Sequence, residues 1–300
     1  MASPRPTALT AFLVGSLGIA TFSGMDAVMK GLVIALGIYP TMLWRMLFGL
    51  AMSGTLFAAR PNWPSRSTMR IHLVRGVLTF VMAMLFFWGL ARVPLAQAIA
   101  LAFIAPLISL FLAAALLGET IGRKTIGASL IAFAGVMLIF IGQAQADLGR
   151  DALLGSIAIL VSAVCYAVNI ILMRSQAQVA GPIEIAFFQN VIVAALLVAA
   201  WPLFGGADFP PTDQIPFILL AAFLSTASLL LLSWAYARAE ASYLAATEYT
   251  SFLWAMAFGW LIFGEGVSLF TLAGAALIVA GCFLAARRPE DLTPSLEAAV

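Results

Sequence analysis

Ten apolar stretches, each about as long as a bilayer-spanning helix, alternate with short polar breaks along this 300-residue chain. A helix needs roughly 20 mostly apolar residues to cross the hydrocarbon core. The stretches run over 7–29, 38–58, 70–91, 94–117, 123–143, 151–173, 182–204, 214–236, 241–263 and 266–286. The first is longer than a signal-peptide core and carries no cleavage pattern, so it reads as a retained span. Short connections predict antiparallel hairpins and leave no room for a soluble domain. The predicted fold is therefore an all-α integral membrane protein of ten transmembrane helices.

The pattern also repeats. Trp88, Ala91, Arg92, Gly118, Glu119, Ala134 and Gly135 recur as Trp234, Ala237, Arg238, Gly264, Glu265, Ala280 and Gly281, every pair 146 residues apart. Five spans per copy is an odd number, so the second copy must be inverted relative to the first. The expected organisation is a first five-helix repeat over 1–146, a second, inverted one over 147–286, and a cytoplasmic tail over 287–300. Inverted repeats build sites that open to alternate sides of a membrane, which points to a secondary transporter of a small-molecule substrate.

Composition agrees. The chain is 63% hydrophobic and 9% charged, with a mean hydropathy of +1.08, against about 25% charged for soluble domains. Its basic residues are scattered, which argues against nucleic acid as a partner. With the N-terminus inside, Arg5, Arg60, Arg66, Arg70, Arg123, Lys124, Arg174, Arg238, Arg287 and Arg288 fall on the cytoplasmic side. Only Lys30, Arg92 and Arg150 fall outside. This bias predicts cytoplasmic termini. A single histidine, His72, and two cysteines in apolar runs, Cys165 and Cys282, give no metal site and no cofactor. No nucleophile–base set or pore-filter pattern supports an enzyme or a channel.

The Gly-Glu after the fourth span of each half carries a resemblance. Pro106…Leu116-Leu117-Gly118-Glu119…Gly127…Gly135-Val136 is matched by Ile262-Phe263-Gly264-Glu265…Gly274…Gly281, and Pro40 precedes Arg45 in span 2. This resembles the drug/metabolite transporter superfamily, more narrowly its EamA-type ten-helix exporters, and among these the bacterial exporters of aromatic amino acids. The resemblance implies spans 1–4 and 6–9 around a central cavity, spans 5 and 10 at the periphery, and export of amphipathic metabolites, aromatic or other large neutral amino acids first. Proton-coupled export of lipophilic cations or drugs is the second cargo class. Whether the chain is a monomer or a homodimer stays open.

Charges inside a membrane are costly and usually face a cavity or a partner. Asp26, Arg45 and Glu248 are the candidates here. Arg45 either pairs with Asp26 or holds a substrate carboxylate, with Lys30 neutralising Asp26 in the second case. Glu248 is the expected coupling or amine-binding group. Arg75 and Glu184 lie near helix ends and read as snorkelling; His72 shows no carboxylate companion in the sequence. Candidate substrate contacts are Arg45, Gln97, Phe103, Tyr166, Asn169, Gln189, Asn190, Glu248 and Tyr249. Trp88 and Trp234, near span ends, are gate or interface residues. Gly18, Gly24, Gly89 and Pro106 are expected hinges. The Gly-Glu pairs read as devices of the turns.

Overall fold

The computed structural model describes residues 8–286 except 60, 106, 110, 113–122, 146–148, 178, 207, 237–246 and 248. Among them are α1 (Ala8–Leu36), α2 (Ile38–Ala59), α3 (Arg66–Leu90), α4 (Leu95–Ala102), α5 (Arg123–Gln145), α6 (Gly149–Ala177), α7 (Pro182–Ala199), α8 (Ile215–Tyr236), α9 (Thr250–Phe263) and α10 (Leu269–Ala286). Each apolar stretch holds a helix, and the seventh also holds the short helix Trp201–Phe204. Six are long and apolar enough to cross a membrane whole, and shorter apolar helices cover the other four stretches. Leu9, Leu13, Leu17, Leu130, Phe133, Trp260 and Leu261 stay exposed on helix flanks, as lipid-facing residues must.

The helices pack across the two halves. α1 packs against α8 and α3 against α6; α2 lies against α7, α4 against α9 and α5 against α10. Exchanging each helix for its repeat equivalent turns the first contact into the second and maps the other three onto themselves. The helix pairing therefore follows a pseudo-twofold relation between the repeats. α5 and α10 contact chiefly each other.

Two of these contacts are made through glycine. A Cβ built on Gly135 of α5 would lie 2.5 Å from the Gly274 carbonyl oxygen of α10, and one on Gly274 would lie 2.6 Å from that of Gly135. Gly89 of α3 and Gly155 of α6 meet in the same reciprocal way. A methyl group has no place there, because backbone cannot rotate aside. Gly135→Ala is expected to lower stability by about 1–3 kcal/mol through overpacking, whereas Gly127→Ala, with nothing within 4 Å, is expected to be neutral or stabilising. Thermal unfolding in detergent checks the contrast; equal midpoints would refute it.

The expected hinges are not where the helices break. α1 runs unbroken through Gly18 and Gly24, and α3 through Gly89. Gly18 admits Leu232 and Leu231 of α8, and Ser228 of α8 donates to its carbonyl (2.9 Å). These glycines at 18 and 89 serve close approach. Turns fall instead at Phe103–Ile104 in span 4 and at Tyr249 in span 9. Phe103 and Tyr249 are repeat equivalents, and their rings meet edge to face at 5.3 Å. Pro106 lies outside the described residues.

Candidate functional site

Three sets of buried polar groups lie between the helices at different depths. α1 rises from the N-terminal face of the bundle to the opposite face, and α2 returns; Asp26 and Arg45 lie where these two helices run side by side. Asp26 is 2% exposed and Arg45 7%. Arg45 is seven residues into α2, about 10 Å from its start at 1.5 Å per residue. Its Nη1 donates to Ser225 Oγ of α8 (3.2 Å), and its guanidinium lies over the Phe87 ring of α3 at 5.9 Å. Among the described residues Nη2 contacts Met46 Sδ at 3.9 Å, and Nε has no hydrogen-bond partner. Asp26 Oδ1 likewise has none.

Asp26 and Arg45 do not close into an ion pair. Their charges act on one another, but among the described residues the ion pairs within 4.0 Å are Lys30–Glu265 and His72–Glu184. Lys30 does not neutralise Asp26 either: its Nζ binds Glu265. Arg45 and Asp26 therefore each bury a polar atom whose donor or acceptor capacity is unused. Such groups are rare in native proteins and ask for a ligand or water. The Nε and Nη2 edge of Arg45 is the edge that grips a carboxylate through two parallel hydrogen bonds.

The second set is at the face opposite the N-terminus. Gly264 ends α9 at φ +66°, a left-handed conformation that glycine adopts without strain. Its N–H donates to Trp260 O (3.0 Å) and that of Glu265 to Gly259 O (3.0 Å). This turn aims the Glu265 carboxylate inward. Oε1 takes the Lys30 ammonium of α1, and Oε2 accepts the Leu95 N–H at the start of α4 (2.7 Å). Lys30 also donates to Val93 O (2.6 Å). Gly118 and Glu119, the equivalent pair, lie outside the described residues.

The third set is toward the N-terminal face. Arg75 of α3 donates from Nε to Asn169 Oδ1 (3.0 Å) and from Nη1 to Gln176 Oε1, both on α6. Because arginine only donates, the Gln176 amide must present its oxygen to Arg75 and its Nε2 to His72 Nδ1, which accepts (2.6 Å). The imidazole proton then lies on Nε2 and is donated to Glu184 Oε1 of α7 (3.1 Å). Asn62 donates to Glu184 Oε2 (2.7 Å). His72, Arg75, Gln176 and Glu184 are each at most 5% exposed, so Arg75 and Glu184 do not snorkel, and His72 has its carboxylate.

A family model for EamA-like transporters matches the chain twice, over residues 9–141 and 153–287. The chain belongs to the EamA-like transporter family. It is a multi-pass membrane protein of that transporter family. The pseudopaline exporter CntI of Pseudomonas aeruginosa is 28% identical over 276 residues, 92% of this chain and 95% of that one. A riboflavin transporter of Rhizobium johnstonii is 31% identical over 231 residues, 75% of this chain and 70% of that one. A solved crystal structure shares the fold at 20% identity with a TM-score of 0.63, covering 93% of this chain and 98% of its own.

Within this family fold, several expected substrate contacts turn out to join helices. Gln97 Nε2 donates to Gln143 Oε1 (3.1 Å) and Ser156 Oγ (3.3 Å), tying α4 to α5 and α6. Asn169 is held by Arg75. Asn190 donates to Ser53 of α2 (3.1 Å) and fills the space beside Gly49. Gln189 is half-buried, with Oε1 unpartnered, and Tyr166 packs against Ala105, Ala163 and Ala167. Tyr249 touches Phe103 and Phe283. Trp88, near the end of α3, stacks with exposed Arg92 at 3.6 Å; Trp234 is half-buried near the end of α8. Glu248 lies outside the described residues. A cavity of about 410 Å³ lined by Leu73, Val77, Phe188 and Ile192 opens between α3 and α7 and includes neither Arg45 nor Asp26.

Proposed function

We propose that the chain exports small amphipathic metabolites that carry both a carboxylate and an ammonium group, with aromatic and other large neutral amino acids as the first cargo class. The observation that supports this reading is the unpartnered Nε of buried Arg45 together with the unpartnered Oδ1 of buried Asp26. A zwitterion brings the two groups that would satisfy them, its carboxylate to Arg45 and its ammonium to Asp26. Phe87 supplies an aromatic surface next to the guanidinium. Export, not uptake, is supported by the named activity of the exporter from Pseudomonas aeruginosa. Its cargo and the riboflavin of the second relative differ, so the cargo assignment rests on this chain's own residues.

In this reading the N-terminal face is cytoplasmic, both termini lie inside, and the protein works in the bacterial inner membrane by alternating access. The lysine and arginine bias of the loops supports that orientation. The cargo's own gradient drives flux. Glu184 and Glu265 are held in their networks and Asp26 serves the ammonium, so no carboxylate among the described span residues is spare for a proton. The test is counterflow of labelled phenylalanine, leucine and their decarboxylated amines in proteoliposomes, with and without a proton gradient. Saturable, gradient-insensitive exchange of the amino acids and not the amines is expected. Equal flux of the amines would overturn the cargo class, and proton-driven accumulation would overturn the energetics.

A further inference from the structure

We propose that Lys30 and Glu265 form the outer gate of transport, a latch that holds the outer ends of α1, α4 and α9 together until cargo is released. This rests on the alternating-access reading and its orientation. A turn falls at Phe103–Ile104 in span 4 and at Tyr249 in span 9. Outward from those turns run two helical segments, Leu95–Ala102 and Thr250–Phe263. They are joined at the inner end by the Phe103–Tyr249 ring contact. At the outer end Glu265 joins them through Leu95 N–H, and Lys30 ties both to α1. Ring contact and latch therefore lie at opposite ends of the same pair of segments.

The chemistry of the latch is specific. α4 starts at Pro94–Leu95 with no capping side chain of its own, so its first N–H groups need an acceptor from elsewhere. Glu265 provides one from the end of α9, and its charge is favourable at a helix N-terminus. Lys30 then neutralises that carboxylate and takes the Val93 carbonyl just before α4. The cleft bounded by Pro94, Ala96, Ala255, Met256 and Gly259 beside Glu265 is too tight for water. The repeat equivalent of Lys30 is Gln176, an uncharged residue engaged by Arg75 and His72.

The test reads accessibility and needs no cargo. Ala96→Cys, placed in the closed cleft in a Cys165→Ser/Cys282→Ser background, is labelled with a membrane-impermeant maleimide from outside intact cells. Lys30→Met and Glu265→Gln are each expected to raise the labelling rate at least about tenfold, since a buried pair that loses one partner is strongly destabilised. Lys30→Arg, which keeps the charge, is expected to stay within about threefold of the parent. Monodisperse elution and a cooperative melt establish that each variant is folded; if Glu265→Gln fails this, the Lys30→Met and Lys30→Arg contrast decides. Unchanged labelling in folded Lys30→Met overturns the gate, as does equal labelling of Lys30→Met and Lys30→Arg. A negative amino-acid transport assay would strike the cargo reading and leave this result standing.

Discussion

Arg45→Gln is expected to weaken binding of a carboxylated cargo by about 100-fold while leaving the protein folded. Truncating one partner of a buried charged contact costs about 2–5 kcal/mol, and about 1.4 kcal/mol corresponds to a factor of ten. Glutamine keeps the hydrogen bond to Ser225 within reach and removes the charge and the fork. Arg45→Lys separates these two losses. It keeps the charge but cannot present two parallel donors, so an intermediate fall of about tenfold is expected. The decarboxylated amine provides the control, because its affinity should not fall with either substitution. Asp26→Asn is expected to show the reverse preference, losing selectivity for the ammonium and not for the carboxylate. Binding is read by cargo-induced quenching of tryptophan fluorescence in detergent. Wild-type affinity of Arg45→Gln for a carboxylated cargo would refute the role given to Arg45.

The 146-residue offset made much of the fold legible, because a duplicated apolar pattern constrains ten helices at once. It also set Phe103 opposite Tyr249, and the structure has a turn at both. What the sequence did not show is which polar group meets which. Lys30 and Glu265 are 235 residues apart, and nothing local to either announces the other. His72 and Arg75, three residues apart, share a face of α3, and Asn169 and Gln176, seven apart, share a face of α6. That was a readable signal of facing polar stripes. Proximity to a helix end suggested snorkelling instead, a rule that assumes a lipid neighbour; Arg75 and Glu184 have helices as neighbours. Gln97 and Asn190 were expected at the cargo for the same reason, as polar residues in apolar spans. Their partners Gln143, Ser156 and Ser53 are ordinary polar residues on neighbouring helices, invisible to a one-span view.

Glu184→Gln is expected to lower stability by about 3 kcal/mol, a midpoint shift of roughly 8 °C at the usual ~2–4 °C per kcal/mol for chains of somewhat smaller size. The carboxylate accepts from His72 and from Asn62 at once. A glutamine has one oxygen for those two donors, so its own N–H group must face a donor and a buried bond is lost. Arg75 is then left without a buried counter-charge at the other end of the chain of contacts. Arg75→Leu should cost a similar amount, through the Asn169 and Gln176 oxygens it leaves unpaired. The double variant distinguishes a linked network from two separate contacts. Removing both charges relieves the imbalance that each single change creates, so the combined loss should fall short of the sum by about 1 kcal/mol or more. Arg75 and Glu184 do not touch; the coupling must pass through the Gln176 amide and the His72 ring. Leaving both charges and replacing Gln176 with leucine should abolish the shortfall. Simple additivity of Arg75→Leu and Glu184→Gln in thermal melts would mean that the relay carries no coupling, and that α3, α6 and α7 are held by independent bonds.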